Sequence, residues 1–190
     1  MCHNLLQDAS VFAFLLECDR DVAAQCRSGG CTVCGDTLHS ARFQRKPRGG
    51  PPDLGRSYEY RESFCCASCR RRTTPPSLRF LGRKVYLGAV VVLVSTMRHG
   101  AKPARVAELR KRIGVSERTI VRWRAWWQES FAASPFWQAS RGRFDTPVVT
   151  EQMPLSLLDR FAGDERDRLI SMLRFLAPIT TASAGGAMAF

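Results

Sequence analysis

Cys31-Thr-Val-Cys34 and Cys66-Ala-Ser-Cys69 each offer two thiolates from one tight turn, the spacing with which a chain grips a single metal ion. Two such pairs make a tetrahedral four-sulfur site, which suits Zn2+. A site closed by four protein ligands keeps no position for water, so the expected ion is structural, stabilising the fold without catalysing a reaction. Gly35 directly after the second ligand relieves the backbone as it leaves the turn. Cys65 would pair with Cys69 at a spacing of three, Cys26 lies five before Cys31, and His39 lies five after Cys34. Cys31, Cys34, Cys66 and Cys69 rank first because the two-residue spacing recurs on both sides. Replacement of one of them by Cys65 or Cys26 stays open, and His39 is read as a strand residue.

The other chemistry is carried by arginine. Of 29 basic residues 25 are Arg, the side chain suited to bidentate contacts with phosphate and guanine. Residues 42–143 hold 23 Lys and Arg against 6 Asp and Glu, whereas 1–41 hold 2 against 5 and 144–190 hold 4 against 6. All of the positive excess therefore lies in the middle of the chain. Such a distribution favours a polyanionic partner, nucleic acid before a membrane surface. Arg70, Arg71 and Arg72 follow the last cysteine at once, where three guanidiniums at the rim of a metal-stapled turn can clamp phosphate.

The segments that must position these groups are legible from pattern. Between the two cysteine pairs, 37–45 and 57–64 read as two antiparallel strands joined by the loop KPRGGPPDLG. With the four cysteines they resemble a zinc ribbon over about 45 residues. Ahead of it, residues 1–25 read as one amphipathic helix capped by Ser10, with the acids Glu17, Asp19 and Asp21 closing its apolar run. After it Pro75-Pro76 reads as a short stiff linker. From Leu78 the chain reads as helical, and 85–99 as a core helix.

Pro103 to Phe131 gives that arginine-rich middle a geometry. A helix from about Ala104 to Ile113 places Val106, Leu109 and Ile113 on one stripe, with Arg105, Arg110, Lys111 and Arg112 outside. Gly114 supplies a positive-φ turn, Val115 plugs the corner, and Ser116 caps a second helix beginning at Glu117. Along that helix Ile120, Trp123 and Trp127 face inward, while Glu117, Arg118, Val121, Arg122 and Ala125 point away, towards what a major groove would meet. Gly114-Val115-Ser116, Arg118-Thr119-Ile120 and Arg122-Trp123 resemble the helix-turn-helix of bacterial transposases and their accessory proteins, over roughly 30 residues. In that setting Arg118 and Arg122 would reach base edges, and Ser116 and Thr119 would cap the helix or touch phosphate. Arg105, Arg110, Arg112, Arg124 and the Arg70 to Arg72 run would set register on the backbone.

The remaining segments are plainer. Phe136 to Phe144 is basic and aromatic, fitted to dock on the bundle or to lie along a sugar-phosphate backbone. Residues 155–161 and 165–176 read as amphipathic helices, the second capped by Asp164 and stopped near Pro178, that pack on the bundle or form a dimer or partner surface. The tail from 179 reads as disordered.

The expected architecture is α+β: an N-terminal helix (1–25), a ribbon module (26–74), a trihelical helix-turn-helix domain (78–131), a helical extension (132–178) and the tail (179–190). Carboxylates are too few in the middle to converge on Mg2+, and no Ser/His/Asp or Cys/His nucleophile set is apparent, so no enzyme is expected. The function expected is sequence-specific binding of double-stranded DNA in the cytoplasm, without a membrane. The resemblance implies an accessory or regulatory subunit of a transposase or integrase, with a homodimer left open. A stand-alone transcriptional repressor, or an adaptor holding a catalytic partner through the ribbon and the C-terminal helices, are the alternatives.

Overall fold

The computed structural model describes residues 2–81, 86–97, 107, 111 and 113–181. A one-turn helix α1 (Cys2–Leu5) precedes α2 (Ala9–Ser28), which is longer than its apolar pattern implies and is capped by Asp8 instead of Ser10. The Asp8 carboxylate accepts the Ser10 N–H at 2.9 Å, leaving Ser10 inside the first turn. Both the hydroxyl and the N–H of Ser10 hold that carboxylate below its usual range.

The segment expected to form a ribbon holds five short strands instead of two long ones. β1 (Leu38–Ser40) pairs antiparallel with β4 (Phe64–Cys66), which pairs with β5 (Arg72–Thr73); β2 (Phe43–Gln44) pairs with β3 (Tyr60–Arg61). A 3-10 turn over Arg56–Glu59 replaces the start of the expected second strand. That turn shifts the inward set from alternating tyrosines to Tyr58, Arg61, Ser63 and Phe64. His39 is a strand residue, opposite Cys65.

Two apolar clusters divide the interior. The smaller holds Ala23, Cys31, Leu38, Phe64 and Cys66; the larger includes Val11, Phe12 and Leu15 of α2, Tyr58, and every helix described below. α2 thus belongs to both cores. The segment after Thr74 is neither a free linker nor a helix: Pro75 is buried, and Phe80 bridges back to Leu87. Asp19, expected on a solvated face, is buried and accepts from the Ser77 hydroxyl (2.5 Å), the Leu78 N–H (2.6 Å) and Arg79 Nε (2.8 Å).

α3 (Gly88–Met97) is the expected core helix, with Ala89 to Val94 all buried, and it packs against α4 (Glu117–Ala125) and α7 (Glu165–Leu176). α4 runs directly into a π-helical turn, Trp126–Phe131. In a regular helix two adjacent tryptophans point about 100° apart. The wider turn places Phe131 over both, 5.5 Å from Trp126 and 5.1 Å from Trp127, and all three are buried. α5 (Pro135–Ser140), α6 (Leu155–Leu158) and α7 complete the shell, and Leu169, Met172, Leu173 and Leu176 of α7 are spent in the core. Trp137, Phe144 and Phe175 stack behind α4, so the basic and aromatic stretch docks through its rings while Arg141 and Arg143 stay exposed. Ile179 and Thr180 are buried in a 3-10 turn and are not part of a disordered tail; residues 182–190 lie outside the described residues.

Candidate metal centre and nucleic-acid interface

The structure brings Cys31, Cys34, Cys66 and Cys69 together, with their four sulfurs all within 4.8 Å of one another. The closest approaches are 3.3 Å between Cys34 and Cys66 and 3.6 Å between Cys31 and Cys69. An ion about 2.3 Å from each of four sulfurs sets them about 3.8 Å apart, so the cage has the size of a tetrahedral thiolate site. Cys65 stands outside it, its thiol directed at the carbonyls of Cys66 and Arg70, and Cys26 packs against the small core.

Each half of the cage is a turn closed on itself. Gly35 N–H bonds the Cys31 carbonyl at 2.8 Å, and Cys66 N–H bonds the Arg71 carbonyl at 3.0 Å. The residue after each second cysteine is left-handed: Gly35 at φ 76° and Arg70 at φ 59°. Gly35 is the residue the turn calls for, whereas Arg70 adopts the same conformation against its side chain's preference. Asp36 ties the halves together by accepting the Ser68 hydroxyl and the Thr37 N–H, which hold its carboxylate below the usual range. Within the cage, backbone N–H groups of Cys34 and Val33 pull the Cys31 thiol down to about 6. The Arg71 N–H favours the Cys69 thiolate too, but hydrogen bonds to neighbouring thiols and desolvation outweigh it and push Cys69 up to about 12.

Arg70, Arg71 and Arg72 are exposed at the rim of this cage, Arg72 within β5 opposite Cys65. The other arginine-bearing element is α4. Gly114 is left-handed at φ 65°, Val115 is buried, and the Ser116 hydroxyl caps α4 by accepting the Thr119 N–H at 3.2 Å. Ile120, Trp123, Trp126 and Trp127 are buried behind it. Thr119 also turns inward: it is 9% exposed and its hydroxyl lies 2.9 Å from that of Ser116, so it caps and does not face phosphate. Arg118, Arg122 and Arg124 are exposed, and Arg122 reaches the Thr119 hydroxyl at 3.4 Å. Arg105, Arg110 and Arg112 lie outside the described residues, as does most of the helix expected over 104–113, of which Ala107, Lys111 and Ile113 are helical.

Composition and periodicity gave no sign of a third polar site, which is buried. Arg79 (2% exposed) pairs with Asp19 and donates to the carbonyls of Tyr58 at 3.2 Å and Tyr60 at 2.9 Å. Arg61 donates to the carbonyls of Pro75 at 2.8 Å and Thr180 at 3.3 Å. Burial lowers the Arg61 guanidinium to about 10, with the Asp19 carboxylate opposing that shift, and it stays charged at neutral pH. These groups join α2, the ribbon and the C-terminal turn, a structural duty. No helix among the described residues is long and apolar enough to cross a membrane. Compared with known proteins, the chain matches no family model, no curated protein and no solved structure.

Proposed function

We propose that this chain is a sequence-specific double-stranded DNA-binding protein in which α4 enters the major groove and a zinc-stapled ribbon braces its neighbour. The observation that carries the reading is the division of α4 into two faces. Its tryptophans are buried, while Arg118, Arg122 and Arg124 project to solvent from the opposite face. Guanidiniums gathered on one exposed helix face suit a partner with phosphate and base-edge acceptors. Zinc is the ion that four thiolates in a tetrahedral cage favour, held by Cys31, Cys34, Cys66 and Cys69 as a rigid, closed site.

Arg118 and Arg122 take base edges, and Arg124 with Arg70, Arg71 and Arg72 takes phosphate. Duplexes selected from a random pool test this division. Arg122→Ala should cost about 1–3 kcal/mol and relax sequence preference, whereas Arg71→Ala should lower the salt slope by about one and leave preference intact. Identical effects of the two substitutions would refute it.

The likeness to transposase helix-turn-helix units supplies the context we favour, an accessory subunit of a mobile element without its own nuclease site. A repressor acting as a dimer would protect a palindromic site with half-sites about 34–36 Å apart, so footprint symmetry separates the two. An adaptor docking through its C-terminal helices is disfavoured, because the apolar residues of α7 are already buried within the chain.

A further inference from the structure

Large apolar side chains exposed among the described residues are Phe14 (37%), Val33 (57%), Val121 (49%) and Val149 (43%). Phe14 lies under the guanidiniums of Arg166 and Arg174, 5.8 and 5.9 Å from its ring centre. Val33 is at the tip of a metal-cage turn, and Val149 immediately precedes a 3-10 turn. Val121 lies on the exposed face of α4. Arg118, three residues before it, and Arg124, three after, are its arginine neighbours on that face, with Glu117 four before; Arg122 lies next in sequence, about 100° further round the helix.

About half of the Val121 side chain is left to solvent in the folded chain, and a β-branched residue is a weaker helix former than alanine at an exposed position. In a major groove it gains a partner. Thymine presents its 5-methyl group there, beside the acceptors that arginine reads on guanine. We infer that Val121 is a specificity residue that packs on the 5-methyl group of a pyrimidine, thymine or 5-methylcytosine, between the bases read by Arg118 and Arg122. The inference rests on the DNA-binding reading above and adds a base class to it.

The full-length, metal-loaded protein first selects duplexes from a random pool. Each thymine of the selected site is then replaced singly by deoxyuracil, which deletes only the methyl group. At the position facing Val121 the wild type should lose about fourfold in affinity, the worth of burying one methyl. Val121→Ala should bind the two duplexes alike. Because Val121 is exposed and alanine favours helix, this variant keeps the fold, which a circular-dichroism melt checks. If no thymine is sensitive, the same site carrying 5-methylcytosine for cytosine tests the other source, and methylation should then strengthen binding by the wild type only. Equal sensitivity in wild type and variant, or none in either probe, overturns the inference while leaving DNA binding intact. Failure to select any duplex overturns the DNA-binding reading itself, and this one with it.

Discussion

Removing the Asp19 carboxylate should cost more stability than any surface substitution on this chain. Asp19 is 5% exposed and satisfies three donors at once, the Ser77 hydroxyl, the Leu78 N–H and Arg79 Nε. In Asp19→Ala the Arg79 guanidinium stays buried with two carbonyls and no counter-charge, beside Arg61, whose own charge Asp19 helps to hold. Breaking a buried pair by deleting one partner costs about 3–5 kcal/mol, and the Leu78 N–H is orphaned as well. Water entering the space left by the side chain returns part of that, so a net loss of about 4 kcal/mol is expected. For a chain of this size the midpoint of thermal unfolding should fall by about 8–16 °C. Adding Arg79→Met to the variant removes the stranded charge and should recover more than half of the loss, since apolar replacement of a buried pair is often nearly neutral. The readout is thermal and urea unfolding of the zinc-loaded protein. A loss under about 1 kcal/mol for Asp19→Ala, or a double variant no better than the single one, would refute the account.

Zinc content should drop in both Cys31→Ser and Cys66→Ser relative to wild type, measured by elemental analysis after dialysis; undiminished zinc in both would remove the cage as its site. Gly49→Ala should destabilise by about 2–4 kcal/mol in urea unfolding, since Gly49 is left-handed at φ 87° and an added Cβ would lie 2.8 Å from Ile113 and 2.9 Å from Val90. A neutral result would mean that this contact yields.

Features set by local chemistry were legible from the sequence, and features set by distant partners were not. The two cysteine turns need only a few residues each, and so does the Gly114-Val115-Ser116 corner; all three stand where the spacing put them. The core helix expected over 85–99 is α3, observed over 88–97; its apolarity fitted a buried strand as well, and its length pointed to a helix. By contrast, Asp19 has the look of an ordinary helix-surface acid, and nothing within the helix reveals that residues 77–79, some sixty positions on, bring three donors to it. The strands failed for the same reason. Tyr58 and Tyr60 alternate like strand residues, yet the loop before them folds onto the large core and forces a 3-10 turn at Arg56–Glu59. Trp126 was not counted among the inward residues, yet it is buried beside Trp127 where the helix widens into a π-turn packed on Phe131.

The loop KPRGGPPDLG, read as mere connection, is where the four-cysteine module meets the start of α3 and Ile113. It leaves β2 and returns to β3, so both its ends are fixed by the ribbon. Along it the Arg48 carbonyl accepts the Leu87 N–H at 3.2 Å, anchoring the loop at the start of α3. Gly49 sits against Val90 of α3 and Ile113 at the end of the preceding helical segment, where no larger residue fits. One residue before Leu87, Tyr86 donates its hydroxyl to the Gly114 carbonyl at 3.2 Å and sets its ring edge-on against Trp123, 5.1 Å away. The turn that launches α4 is thus held from below by a segment whose own geometry depends on the ribbon. A cation closed in by four thiolates would have no catalytic opening, and this loop links the strands that carry the cage to the segment ahead of α4. A cation held by the four cysteines would stiffen β1 and β4, and the loop between β2 and β3 would carry that rigidity to the start of α3 and to Ile113, one residue before the Gly114 turn that launches α4.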